Sequence, residues 1–308
     1  MAIIQLDQQS IHQDEFDTNN FVYSFNDKHI IFGSRGDHAT HLYTIATNFT
    51  RRLDKPQSSQ EEYVSATTIS DDSSVAATGY SKGSIVVWNL VENTSDARYK
   101  LIHQESITYL AFLGNNSRVV IADKNGLITL LSLVQSLTCE LVLQTTVINL
   151  QKPLTTFESC YPDLIAFASE VGFSVLRVGR RIQVLLDRDN LKQPELCCAL
   201  SIKDDTHRIL VCNNSGVYLS DISDKGRPHK EIPLVMPAPI LRCFIFNFQY
   251  FILLFNNCES YVFTDDGTIV KKFDNLPKVE ESRHIQMFGN NLVFYKKREI
   301  IQIPLDLE

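Results

Sequence analysis

Apolar residues occur along this chain in short runs rich in Val, Ile, Leu, Phe and Tyr, each bounded by Gly, Asn, Asp or Pro. Such runs read as β-strands, because branched and aromatic side chains suit a pleated surface and the bounding residues accept turn conformations. Sustained helical periodicity is hard to find, so the chain is read as all-β. A larger unit is also visible, made of an apolar strand, a polar turn that often holds Gly, and a second strand, as in VAATGYSKGSIVVWNL from Val75 to Leu90. It recurs as VVIADKNGLITLLSL from Val119, LIAFASEVGFSVLRV from Leu164, ILVCNNSGVYLSDI from Ile209, FILLFNNCESYVF from Phe251 and LVFYKKREIIQIPL from Leu292, with a weaker copy, IIFGSRGDHATHLYTI, from Ile30.

The starting positions 30, 75, 119, 164, 209, 251 and 292 are separated by 45, 44, 45, 45, 42 and 41 residues. A period of about 40–45 residues with strand-turn-strand content is that of a four-stranded propeller blade. One twisted sheet cannot cover its own two faces, whereas blades packed side by side cover them for one another. The spacing therefore predicts a seven-bladed β-propeller occupying residues 1–308 as a single domain, with blades near 21–54, 61–102, 105–145, 152–188, 194–234, 238–274 and 282–308. The last blade lacks an outer strand, because the chain ends just after its third. Residues 3–6 (Ile-Ile-Gln-Leu) precede the first blade and are otherwise unused, so they are expected to pair with Ile300–Ile303 and close the ring. Closure of this kind removes open sheet edges.

The charge balance narrows the function. Twenty-nine Lys and Arg against 36 Asp and Glu leave a net charge of −7, which disfavours a protein built to grip a phosphate backbone. Seven scattered cysteines without a CxxC pair fit neither a disulfide framework nor a zinc site, and they point to a reducing, cytoplasmic environment. The N-terminus has no basic segment followed by a long apolar run, so no secretory signal is read there. The apolar stretch from Ile240 to Phe255 is too short to span a bilayer, and its Phe, Ile and Tyr content predicts two strands turning at Asn247-Phe248-Gln249.

Gly79 to Leu90 (GYSKGSIVVWNL) resembles the WD-repeat pattern of a tight turn and a strand ending in Trp-Asp, with Asn89 in place of the Asp. In blade three, His103 precedes the first strand and Asp123 falls in the turn between the second and third. WD repeats keep a buried His–Asp network at those places, here with Leu131 at the Trp position. A structural role is expected for both. GYSKGS is not a phosphate loop, because it leads into a strand and lacks the required spacing. Cys197 and Cys198 are adjacent on a strand, point to opposite faces and so cannot share a metal. His38 and His41, beside Asp37, are read as a solvated loop. No nucleophile–base pair is visible, and no catalytic residue, cofactor or metal is expected.

In a propeller, the turns between second and third strands gather on one face with the connections between blades. They hold Arg35, Lys82, Lys124, Lys296, Lys297 and Arg298 in adjoining blades, a basic arc on an acidic protein that suits an acidic partner or a lipid surface. The apolar connection from Leu234 to Pro239, with Val235 and Met236, is a second candidate contact on that face.

Tyr63–Leu90, His103–Leu133, Pro153–Val178 and Asn290–Leu305, in this order and spacing, resemble the N-terminal propeller of the vacuolar protein sorting protein eight family. The resemblance implies the propeller of a longer propeller-solenoid-RING protein, the subunit that distinguishes the CORVET endosomal tethering complex. It further implies an endosomal Rab GTPase and other tethering subunits as partners, with peripheral association on endosomal membranes. Two other readings stay open from residues alone: a propeller enzyme with a channel metal, and an adaptor that binds ubiquitin or phosphopeptides.

Overall fold

A computed structural model describes residues 2–5, 21–34, 39–55, 61–91, 97–114, 117–134, 140–160, 163–170, 172–179, 181–188, 197–203, 206–213, 216–222, 229–279, 285–296 and 299–307. The short apolar runs are strands. After β1 (Ala2–Gln5), blade one contains β2 (Phe21–Phe25), β3 (His29–Ser34), β4 (Thr40–Thr44) and β5 (Phe49–Leu53). Blade two contains β6 (Val64–Ile69), β7 (Val75–Tyr80), β8 (Ser84–Asn89) and β9 (Ala97–Leu101). Blade three contains β10 (Ile107–Leu113), β11 (Arg118–Asp123), β12 (Leu127–Val134) and β13 (Glu140–Asn149). Blade four contains β14 (Leu154–Cys160), β15 (Leu164–Ser169), β16 (Gly172–Val178) and β17 (Ile182–Arg188). Blade five contains β18 (Cys197–Lys203), β19 (Thr206–Asn213), β20 (Gly216–Ile222) and β21 (His229–Ile232). Blade six contains β22 (Ile240–Phe246), β23 (Tyr250–Phe255), β24 (Ser260–Thr264) and β25 (Ile269–Phe273). The last sheet contains β26 (Ile285–Phe288), β27 (Asn291–Lys296) and β28 (Glu299–Pro304).

Each of the first six blades pairs its strands in chain order. The seventh sheet runs β1-β28-β27-β26, so the N-terminal strand supplies the missing outer strand, as the sequence predicted. The fold is a seven-bladed β-propeller closed by that strand. The Ile240–Phe255 stretch is the expected hairpin, with Asn247 and Phe248 at positive φ in its turn. Among the described residues, no helix is long and apolar enough to cross a membrane.

By the density of internal contacts the chain falls into two units. One comprises residues 2–151 and 295–301, and the other residues 152–294 and 302–308. Within the first, alternation along each strand sends side chains to two neighbours. Ala76, Val86 and Trp88 pack with Ile31, Leu42 and Val64, whereas Ala77, Ile85 and Val87 pack with Ile107, Val119 and Ile121. Every side chain of β6 and β7 is buried for this reason. Two glycines set how closely these blades approach. A methyl group at Gly33 would lie 2.6 Å from Val64 Cγ1, and one at Gly79 would lie 2.5 Å from Ile107 Cγ2. In blades one and two the second strand thus leaves a notch for the side chain that opens the next blade. The second unit repeats the scheme, with Ala166, Phe173 and Val175 packed with Cys198, Ile209 and Val211, and Leu210, Cys212 and Val217 packed with Cys243, Leu253 and Phe255.

Candidate interaction surface

Lys82 and Lys124 occupy equivalent turns, the first between β7 and β8 and the second between β11 and β12, and both are exposed. Hydrogen bonds hold these turns to the connections that enter their own blade or the next. The N–H groups of Ile102 and His103 donate to Gly83 O at 3.1 and 3.0 Å, Ser81 N to Tyr63 O at 3.0 Å, and Lys124 N to Ser106 O at 2.8 Å. Gly83 has φ +84, a left-handed turn position, and its chain continues into a strand, which agrees with the rejection of a phosphate loop.

Buried polar groups fasten these turns from beneath. In blade three, His103 Nδ1 lies 2.8 Å from Asp123 Oδ2 and His103 Nε2 lies 2.8 Å from Thr129 Oγ1. Asp123 Oδ1 accepts the N–H groups of Asn125 and Leu127 at 2.9 and 3.0 Å. Burial alone would raise the Asp123 carboxyl, but the bond to His103 and the two backbone donors bring it below its ordinary value. The sequence reading found His103 and Asp123 and missed Thr129, which completes the network without the Trp. Blade two has a different solution at the same place. There Glu62, 1% exposed, accepts from Ser84 Oγ and pairs with Lys55, whose Nζ lies 4.6 Å from the centre of the Tyr80 ring.

The remaining predicted contacts divide. Arg35, Lys297 and Arg298 lie outside the described residues, as does the side chain of Lys296. Glu61 and Glu105 are exposed on connections beside the Lys82 turn, so the described part of this face carries both signs. Val235 is fully exposed, at 101%. Met236 instead packs, with Leu234 and Ala238, against the core shared by blades five and six. The connection is therefore a strap with alternate residues turned inward. His38 and Asp37 fall outside the described residues, but His41 is a correction. It belongs to β4, is 4% exposed, and stacks on Phe32, its register partner, with ring centres 5.2 Å apart. The strand begins one residue before it, so its side chain takes a core position.

The second unit contains polar clusters that sequence reasoning did not find. Arg208 grips Asp221 through Nε and Nη2, both at 2.7 Å, and Asp265 through Nη1 at 2.8 and 2.9 Å. Its guanidinium lies 4.2 Å from the centre of the Phe248 ring, and so ties blade five to two turns of blade six. Arg242 on β22 pairs with Glu158 on β14, across the strand that carries Cys197 and Cys198. Those two cysteines do point apart, as read: Cys198 packs with blade four, and Cys197 meets Cys212 and Cys243. No local spacing announces any of these groups, because strand register and blade adjacency bring them together.

The basic turns and the His103 network both lie in blades two and three, and that region carries the family pattern. Residues 45–159 match the Vps8 β-propeller family. The family is the one whose likeness the sequence reading identified, and the match contains blades two and three whole. No curated protein matches the chain significantly. Among solved structures, it resembles a chain in a crystal structure of the mitotic checkpoint complex, with TM-score 0.69 at 10% identity over 99% of this chain and 94% of that one. It also resembles the Dos1 propeller, with TM-score 0.65 at 13% identity over 94% and 82%. Likeness at such identities establishes the propeller fold, and the Vps8 match adds a protein-interaction role.

Proposed function

We propose that this chain is a non-catalytic interaction propeller of a CORVET-like endosomal tethering complex. It engages an endosomal Rab GTPase and other tether subunits in vesicle fusion and in transport from endosome to vacuole or lysosome, at the cytoplasmic face of endosomal membranes. The match of residues 45–159 to the Vps8 propeller family carries the reading. The surface features agree with it. Lys82 and Lys124 lie within the matched segment on turns anchored by buried hydrogen bonds, so they present fixed positive charge on a protein of net charge −7. Rigid presentation lowers the ordering cost of association. Val235 adds an exposed apolar contact on a strap held by its neighbours. The test is capture of the purified chain on a panel of GTP- and GDP-loaded Rabs and of tether subunits. Binding to a tether subunit or a GTP-loaded endosomal Rab is expected, and failure to bind any of them would sink the reading.

A further inference from the structure

Three cysteines distant in sequence converge inside the second unit. Cys197 opens β18, Cys212 is its direct register partner on β19, and Cys243 comes from β22, the first strand of the next blade. Their sulfur atoms all lie within 4.8 Å of one another. Cys212 and Cys243 are fully buried, and Cys197 is half-buried. Apolar residues, among them Val217, Phe255 and Ile240, surround the group.

The spacing and the chemistry both suit a metal ion. Three sulfurs bound to one ion at about 2.3 Å stand about 4 Å apart, so the observed cluster needs a contraction of less than about 1 Å. Thiolates select soft cations. No further His, Cys, Asp or Glu joins the three among the described residues. A cation that demands four ligands is therefore poorly served, and one content with three is well served. Cys198 is turned to the opposite face, and the nearby Glu158 is engaged by Arg242. We infer that Cys197, Cys212 and Cys243 form a buried three-thiolate site for a soft, closed-shell monovalent cation, Cu(I) by its coordination number.

The proton balance follows from the cluster. The thiols of Cys212 and Cys243 hydrogen-bond to Cys197 and hold its thiol well below the ordinary cysteine range, whereas burial pushes Cys212 and Cys243 up. Each sulfur that binds Cu(I) does so as a thiolate, and every proton the three thiols carry leaves to solvent.

Titrating the reduced full chain, without oxygen, with Cu(I) as its acetonitrile complex against a bathocuproine competitor tests the site. About one ion per chain should be withheld from the competitor, and loading should raise the melting temperature. X-ray absorption should show a sulfur-only shell of three. Cys243→Ala should abolish retention, and Cys258→Ala, on a turn of the same blade, should leave it intact. A second measurement needs no variant: alkylation of the loaded chain in mild denaturant should spare Cys197, Cys212 and Cys243 together while modifying Cys258. Copper retention no better than that of the Cys243→Ala variant overturns the proposal. So does a shell containing nitrogen or oxygen, uniform alkylation, or a Cys197–Cys212 disulfide formed in place of retention.

Discussion

At the scale of single residues, stability in this propeller depends on buried polar groups that satisfy one another. Asp123 accepts hydrogen bonds from His103 and from two backbone N–H groups, and its carboxyl is held below its ordinary value. A carboxylate whose folded pKa lies below its unfolded one contributes stability above the unfolded value, about 4, and loses that contribution as pH falls through the folded value. Asp123→Asn should therefore destabilise the chain by roughly 1–3 kcal/mol at pH 7. The gap from the unsubstituted protein should narrow as the pH is lowered below about 4. Urea melts of both proteins at neutral and acid pH check this, and a gap that stays constant would refute it. Gly79 makes a second, steric prediction. Its missing methyl leaves room for Ile107, so Gly79→Ala should cost about 1–3 kcal/mol through overpacking, visible as a lower urea midpoint with an unchanged slope.

At the scale of elements, the strands were largely legible. The two strands expected in Ile240–Phe255, turning at Asn247-Phe248-Gln249, stand as β22 and β23, because apolar runs and turn residues are local signals. The sequence is less informative where a side chain's partner lies on another strand. Sequence alone puts His41 in a loop, yet its ring is stacked on Phe32. Thr129 closes the His103 network from β12, and the three-cysteine cluster joins three strands of two blades. Periodicity gives strands and their faces, but the ladder register decides which residues meet. The most consequential element is β1, which completes the final sheet beside β28. Deleting residues 1–8 leaves that sheet with an open edge, and it should lower the melting temperature by several degrees or more. An unchanged melting temperature would show that β1 is dispensable.

At the scale of the whole molecule, the repeat spacing and the family resemblance were both legible, and the family match bears the resemblance out. Of the residues proposed for partner contact, Met236 turns inward, and acidic residues stand among the exposed lysines. Electrostatic steering still makes a clear prediction. If partners are drawn to Lys82 and Lys124, replacing both with Glu should weaken capture, mainly by slowing association, and the loss should shrink at high salt. Binding kinetics at two ionic strengths measure it, and a salt-independent effect would point to lost packing. The pairing of β1 with β28 has a further consequence, in time. Residues 2–5 are made long before their partner at 299–304. At ribosomal speed the strand waits on the order of tens of seconds for its place. Until then blades can pack on one another as they emerge, but the circle stays open, and the growing chain carries an unmatched edge that chaperones are placed to guard.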